Sequence, residues 1–149
     1  MINRFEQFST AIAYIYKYLQ KVEKLGMEKY NLKGSHTQCV IAMHQHPEGI
    51  TASQLCSIYD KDKAAVSRTI SELEKRGLVE RDLDNGNTYR AKIHLTPQGK
   101  IAAEQVTETA KRAVEKAGAG LSNEHRKIFY ASLDLIASNL KKIYSEGEI

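Results

Sequence analysis

The sequence has little of what characterises secreted and membrane proteins. Its 149 residues include two cysteines, two prolines and no tryptophan. The cysteines, Cys39 and Cys56, are too few for the disulfide framework of a small secreted domain, and they fit a reducing cytoplasm. No apolar run approaches the roughly 20 residues of a membrane-spanning helix, and no charged leader precedes an apolar block at the N-terminus. We therefore expect a cytoplasmic protein with no secretory signal and no membrane contact.

Sequence motifs of common enzyme classes are also missing. The chain has no His-Glu-x-x-His, no glycine-rich phosphate loop and no nucleophile elbow, so we expect no catalytic residues and no cofactor. The net charge is +4 and the pI about 9.0, which permits an anionic partner without requiring one. Residues 61–92 hold eight Lys/Arg and six Asp/Glu. Any positive surface must therefore arise from sorting these charges onto different faces.

The most informative segment runs from residue 51 to residue 96. Thr51 and Gln54 form a capping box that starts one helix, and Asp62 and Gly77 bound a second helix. Two strands, 78–82 and 90–95, are then predicted around an Asn-Gly turn. Helix, turn, helix and β-hairpin in this order predict a winged helix-turn-helix, which is a DNA-reading device. The same elements also occur in domains that bind only proteins, so a protein-interaction module without DNA affinity is the alternative.

The second of these helices has an apolar stripe and a polar face. Val66, Ile70 and Leu73 fall at i, i+4 and i+7, which directs one stripe towards a core. The residues predicted to meet DNA are small or cationic, because such residues let a helix approach a groove closely: Lys63, Ala64, Ser67, Arg68 and Ser71. In the wing, Arg90 and the tip residues Asn85 and Asn87 are predicted to approach the minor groove or its phosphates.

Long helices are predicted at both ends of the chain. Apolar residues recur at three- and four-residue steps in residues 3–29 and again in residues 122–144. A further helix is predicted from Pro97 to about Ala117, with Thr96 as its N-cap, and a shorter one from Ser35 to His46. The terminal helices carry more apolar surface than one narrow stripe needs, which suggests burial by a second subunit. The predicted fold class is mainly α, a three-helix core with a two-stranded β wing.

Three blocks of sequence resemble the multiple-antibiotic-resistance regulator (MarR) family. They are Ile50-Thr-Ala-Ser-Gln-Leu55, the run from Ala65 to Arg81, and Ile93-His-Leu-Thr-Pro-Gln-Gly99. The resemblance covers almost the whole chain. It implies a homodimer built from residues 1–34 and 97–149, with residues 35–96 as the DNA-binding domain. It further implies a transcriptional repressor on a palindromic operator, released by a small hydrophobic or phenolic anion.

The resemblance also raises expectations about individual residues. A ligand crevice is expected between the terminal helices and the winged unit, with Tyr14, Tyr18 and His36 as candidate lining residues. The family's wing usually has an Asp two positions before the Arg that matches Arg90, whereas this chain has Thr88. The wing is therefore expected to be held differently.

Cysteine and histidine leave two further interpretations open. His36, Cys39 and Met43 share a helical face, a spacing that suits part of a soft-metal site. Cys and Met at helical spacing are more often core residues, so we expect no metal. A thiol-based redox-sensing regulator is a second alternative, through Cys39 or Cys56. The oxidant-sensing branch of the family carries its cysteine in the first helix, where this chain has none.

Overall fold

The computed structural model describes residues 3–82 and 90–147. It is mainly helical with one two-stranded antiparallel sheet, which confirms the predicted fold class. A short 3-10 helix, Glu28–Tyr30, follows α1. The other elements, in chain order, are α1 Arg4–Met27, α2 Gly34–Gln45, α3 Ala52–Tyr59, α4 Lys63–Lys75, β1 Val79–Arg81, β2 Ile93–Leu95, α5 Pro97–Ala117 and α6 Asn123–Glu146.

Local capping explains where the helices of the helix-turn-helix begin. At the start of α3, the backbone N–H of Gln54 donates to the Thr51 hydroxyl at 3.2 Å, and the Gln54 amide oxygen accepts from the Thr51 N–H at 2.8 Å. At the start of α4, the Asp62 carboxylate accepts from the N–H of Ala65 at 2.8 Å. Gly77, at φ +69°, follows the end of α4 in the left-handed conformation that glycine tolerates best. These predicted boundaries are confirmed.

Helix α2 begins two residues earlier than predicted. Lys33, not Ser35, is its N-cap, and Ser35 lies inside the first turn. The reason is the side chain of His36, whose Nδ1 accepts the backbone N–H of Lys33 at 2.9 Å. A histidine ring thus satisfies an N–H that would otherwise have no partner at a helix start. Sequence preference alone favours serine at this position.

The sheet is the base of the predicted wing. Val79 pairs with Leu95, and Arg81 pairs with Ile93. An isolated bridge between Ile50 and Ile93 joins the segment before α3 to the same sheet. The observed strands are shorter than predicted, but a further bond from the N–H of Asp82 to the carbonyl of Lys92, at 2.9 Å, extends the pairing.

The core lies between α2, α3, α4, the sheet and the first half of α5. The predicted stripe of α4 is confirmed, since Val66, Ile70 and Leu73 are all buried. Helix α2 contributes both apolar and polar residues to this core, and His36 and Thr37 are only 1% exposed. The remaining fully buried side chains include Met27, Leu55, Ile93 and Val106.

The chain divides into two compact units, Met1–Ala113 and Val114–Ile149. Each has large apolar side chains on its surface. In the first unit, Phe5 is 70% exposed and Ile15 is 54% exposed on α1. In the second, no residue of α6 is buried, and its exposed apolar residues include Ile128, Leu135 and Leu140.

Candidate nucleic-acid interface

One exposed face of α4 gathers the residues predicted to meet DNA. Lys63, Ala64, Ser67 and Arg68 are exposed and Ser71 is half-buried. They lie beside the buried stripe of α4, because residues at steps of three and four share one side of a helix. The structure therefore brings all five together on a solvent-facing surface, and it places their small side chains among the cations.

The acidic residues of α4 and its N-cap are engaged in contacts with the folded protein. Asp62 caps the helix, Glu72 accepts from His36 Nε2 at 2.6 Å, and Glu74 accepts from Arg81 at 2.8 Å. Within residues 3–82 and 90–147, Arg68 has no hydrogen-bond or ion-pair partner. These three carboxylates are thus bound to groups of the folded protein, whereas the Arg68 guanidinium is exposed to solvent.

The contact between His36 and Glu72 joins α2 to the middle of α4. The His36 side chain is 2% exposed, whereas that of Glu72 is 47% exposed. The hydrogen bond from His36 is the main cause that holds the pKa of the Glu72 carboxyl below its usual value, so Glu72 is ionised at neutral pH. This pair could not be predicted from the sequence, because its members are 36 positions apart.

The wing is held at its base by three contacts. Arg81 donates two bonds to Glu74, from Nε at 2.8 Å and from an Nη at 3.2 Å. His94 Nε2 lies 3.0 Å from Asp82 Oδ2, and the Lys92 ammonium donates to a backbone carbonyl before α3 at 3.3 Å. These contacts join β1 to α4, the residue after β1 to β2, and the residue before β2 to the segment before α3.

Of the predicted wing residues, Arg90 is among the described residues. Arg90 lies in an exposed turn before β2. Asn85 and Asn87, together with Thr88, lie outside the described residues. The wing base thus has anchors in Asp82, Glu74 and Lys92 that the family comparison at Thr88 did not suggest.

The three candidate ligand residues do not share one cavity lining. His36 borders a cavity of about 310 Å³ beside α4, together with Cys39, Tyr59 and Arg68. Tyr14 and Tyr18 are absent from that lining. They are exposed on α1, with ring centroids 5.7 Å apart. Sequence reasoning missed Tyr59, whose hydroxyl donates to the carbonyl of Gln38 at 2.7 Å.

One protein-family model matches the central segment of the chain. Residues 30–86 match the family model described as MarR family. Over these residues the chain is similar to the MarR family. The match begins in the turn before α2 and includes α3, α4 and β1, which are the elements that position the exposed face.

Two curated proteins are similar in sequence to this chain. A transcriptional regulatory protein for the hcr operon of Thauera aromatica is 28% identical over 52% of this chain and 47% of its own length, so the chain spans about half of that relative. A helix-turn-helix regulator of Bacillus subtilis, YybA, is 21% identical over 88% of this chain and 87% of its own length.

Solved MarR structures share the fold. A MarR regulator from Methanosarcina mazei superposes with a TM-score of 0.82 at 24% identity, over 96% of this chain and 94% of that one. A MarR regulator from Listeria monocytogenes, solved with a 26-mer DNA, superposes with a TM-score of 0.77 at 18% identity, over 94% and 90%. The two curated relatives are described as transcriptional regulators, and the solved structures show that the fold is shared.

The two thiols of this chain differ in their surroundings. Cys39 is buried in the core, and this burial, with a smaller effect from Cys56, raises the pKa of its thiol to about 12. Cys56 is half-buried and packs at the edge of the core. Because thiolates are the reactive form, Cys39 is an inert core residue at neutral pH.

The three residues considered for a soft-metal site lie in the core. Cys39 and Met43 are buried, as the core interpretation predicts, and His36 is buried with them. Among residues 3–82 and 90–147 no group of three His, Cys, Asp or Glu side chains is placed to hold a metal ion. None of the described helices is long and apolar enough to cross a membrane.

Proposed function

We propose that this chain is a DNA-binding transcriptional regulator that reads double-stranded operator DNA with the exposed face of α4. The observation that carries the proposal is the sorting of charge around that helix. Asp62, Glu72 and Glu74 are bound to groups of the folded protein, while Arg68 faces solvent on the same face as Ser67. In a winged helix the second helix enters the major groove, and arginine is the side chain best suited to guanine.

The phosphate-binding residues have a distinct signature. Lys63 and Arg90 are the proposed phosphate contacts, with Asn85 and Asn87 at the wing tip. A cation that neutralises one phosphate contributes about one unit to the dependence of log affinity on log salt. Lys63→Ala and Arg90→Ala should therefore weaken binding to all duplexes and each flatten the salt dependence by about one unit.

The test uses a duplex selected from a random library and a scrambled duplex of equal length. Affinities are measured at two or more salt concentrations for the parent and the two variants. Lys116→Ala, an exposed cation at the end of α5, serves as the charge-matched control and should leave the slope unchanged. If no duplex is enriched and the parent's affinity does not respond to salt, the protein-interaction module is the better account.

We further propose that the regulator acts as a homodimer on a palindromic site. Residues 1–34 and 97–149 form the proposed dimerisation region, and residues 35–96 the proposed DNA-binding domain. The support is the exposed apolar surface of α1 and α6, since contiguous apolar patches of this kind mark interaction sites. A two-fold protein on DNA reads two half-sites related by the same symmetry.

Sedimentation tests the assembly. The parent should sediment at about twice the 16.8 kDa chain mass. Phe8→Glu and Leu140→Glu place a charge on the exposed apolar surfaces of α1 and α6 and should shift the protein towards monomer. Ile58→Glu, on the exposed side of α3, is the matched control and should remain dimeric. A folded parent monomer at micromolar concentration would contradict the proposal.

Repression relieved by a small ligand completes the proposed function. The candidate effector is a small hydrophobic or phenolic anion. His36, Tyr14 and Tyr18 remain the proposed contacts, although only His36 borders the cavity beside α4. A ligand changes DNA affinity only by binding two conformations unequally. Thermal shift and DNA affinity should therefore change together when phenolic acids are added, and a screen in which neither moves would remove the effector from the account.

A further inference from the structure

We propose that His36 is the positioning residue for the recognition helix α4, acting through Glu72. The inference rests on DNA reading by α4, as proposed above. The observation is a buried imidazole that joins two helices. Its Nδ1 accepts from the backbone N–H of Lys33 at 2.9 Å, and its Nε2 lies 2.6 Å from the carboxylate of Glu72.

The two bonds fix the ring in one protonation state. Because the Lys33 N–H donates to Nδ1, that nitrogen carries a lone pair and the ring proton is on Nε2. The proton on Nε2 is then donated to the ionised Glu72 carboxylate. A bond from a donor to a charged acceptor is shorter and stronger than a neutral one, which agrees with the 2.6 Å separation. The ring has no second orientation that keeps both bonds.

Helix α4 is held by polar bonds on opposite sides. Glu72 and Glu74 are two residues apart and therefore point about 200° apart around the helix axis. Glu72 binds His36 of α2, while Glu74 binds Arg81 of β1. Between them the buried stripe packs against the core. The buried stripe fixes which side of α4 faces the core. Hydrogen bonds depend steeply on angle, so the two carboxylates further restrict the rotation of α4 about its axis.

Rotation of α4 determines where Arg68 points. Arg68 lies four residues before Glu72, so both occupy the same side of the helix. Both also border the cavity of about 310 Å³ beside α4, and Lys61 lies at its margin. The Arg68 side chain is exposed, and among the described residues it has no hydrogen-bond or ion-pair partner to hold it. The backbone of α4 must therefore supply the aim of Arg68, and His36 secures that backbone on this side.

Glu72→Ala and Glu72→Gln separate positioning from charge. Both remove one negative charge next to DNA, but glutamine keeps an oxygen that accepts the proton of His36 Nε2, whereas alanine does not. Glu72→Ala should lower the preference for the selected duplex over the scrambled one by about tenfold, the effect of one lost bond to a charged group. Glu72→Gln should retain the parental preference.

His36→Asn is the second variant. Its amide oxygen can replace Nδ1 as the acceptor for Lys33, but the side chain is too short to reach Glu72. It should resemble Glu72→Ala in its preference while remaining folded. In the parent, ¹⁵N spectra of the His36 ring should show the proton on Nε2. A ring protonated on Nδ1 at neutral pH would overturn the assigned bonds.

The outcomes separate this inference from the proposed function. If the parent prefers no duplex, DNA reading itself is wrong. A second outcome is that the parent and both Glu72 variants prefer the selected duplex equally, and Glu72→Ala only lowers the melting temperature. In that case His36 has a structural role alone and the inference fails. If Glu72→Ala and Glu72→Gln lose preference equally, the effect is one of charge, and positioning by His36 is again refuted.

Discussion

At Gly99, helix α5 lies against the backbone of the residue that precedes β1. A Cβ built there would overlap the carbonyl oxygen of Leu78 and lie 3.0 Å from its carbonyl carbon and 3.2 Å from Leu95 Cδ2. That carbonyl oxygen also accepts the N–H of Thr96 at 3.0 Å. A side chain at position 99 can therefore be accommodated only if the start of α5 moves away from the strand.

The cost of Gly99→Ala follows from these contacts. Overpacking costs about 1–3 kcal/mol, and weakening the bond between Thr96 and Leu78 adds about 0.5–1.5 kcal/mol. Helix propensity returns at most about 1 kcal/mol, because alanine favours helix over glycine. We expect the free energy of unfolding to fall by about 0.5–4.5 kcal/mol, or the variant to fail to fold.

The assay is urea denaturation at a fixed protomer concentration, because the stability of a dimer depends on concentration. Gly34→Ala is the matched control. It lies in the first turn of α2, and a Cβ there would meet nothing within 4 Å. It should be neutral or stabilising by less than about 1 kcal/mol. A Gly99→Ala protein as stable as Gly34→Ala would refute the close approach of α5 to Leu78.

Two further predictions concern titratable groups. Iodoacetamide should modify Cys56 well before Cys39 in the folded protein, because burial keeps the Cys39 thiol protonated. Peptide mass spectrometry measures the two rates, and faster modification of Cys39 would contradict its burial. Because folding lowers the pKa of Glu72, its stabilising contribution is present above the unfolded pKa of about 4.5 and is lost as pH falls through the lower folded value. The difference in unfolding free energy between the parent and Glu72→Gln should thus be constant above about pH 5 and shrink below it. A difference that stays unchanged down to about pH 3 would contradict the lowered pKa of Glu72.

Local signals in the sequence were sufficient for most of the fold. The capping residues Thr51, Asp62 and Thr96 each act within three residues of their partners, so the starts of α3, α4 and α5 could be predicted. The apolar stripe of α4 was equally predictable from its spacing. At α2 the predicted N-cap was wrong by two residues, because a histidine ring took the role that serine or threonine usually has.

The candidate site was only partly predictable. The exposed face of α4 follows from the same periodicity that defines its buried stripe. The contacts that hold this face could not be predicted from the sequence. Glu72 contacts His36, and Lys92 contacts the carbonyl before α3, only after the chain has folded. The ligand residues illustrate the same limit. Tyr14 and Tyr18 are neighbours on one helix, but proximity to His36 depends on tertiary packing.

Arg68→Ala measured on two duplexes tests the central claim most directly. The parent, Arg68→Ala and the control Arg112→Ala, an exposed arginine paired with Glu108 on α5, are compared on the selected and scrambled duplexes. Arg68→Ala should lose about 1–3 kcal/mol of binding free energy on the selected duplex and less on the scrambled one. Arg112→Ala should affect both slightly and equally. If Arg68→Ala remains folded and binds both duplexes as the parent does, α4 does not read DNA through this face.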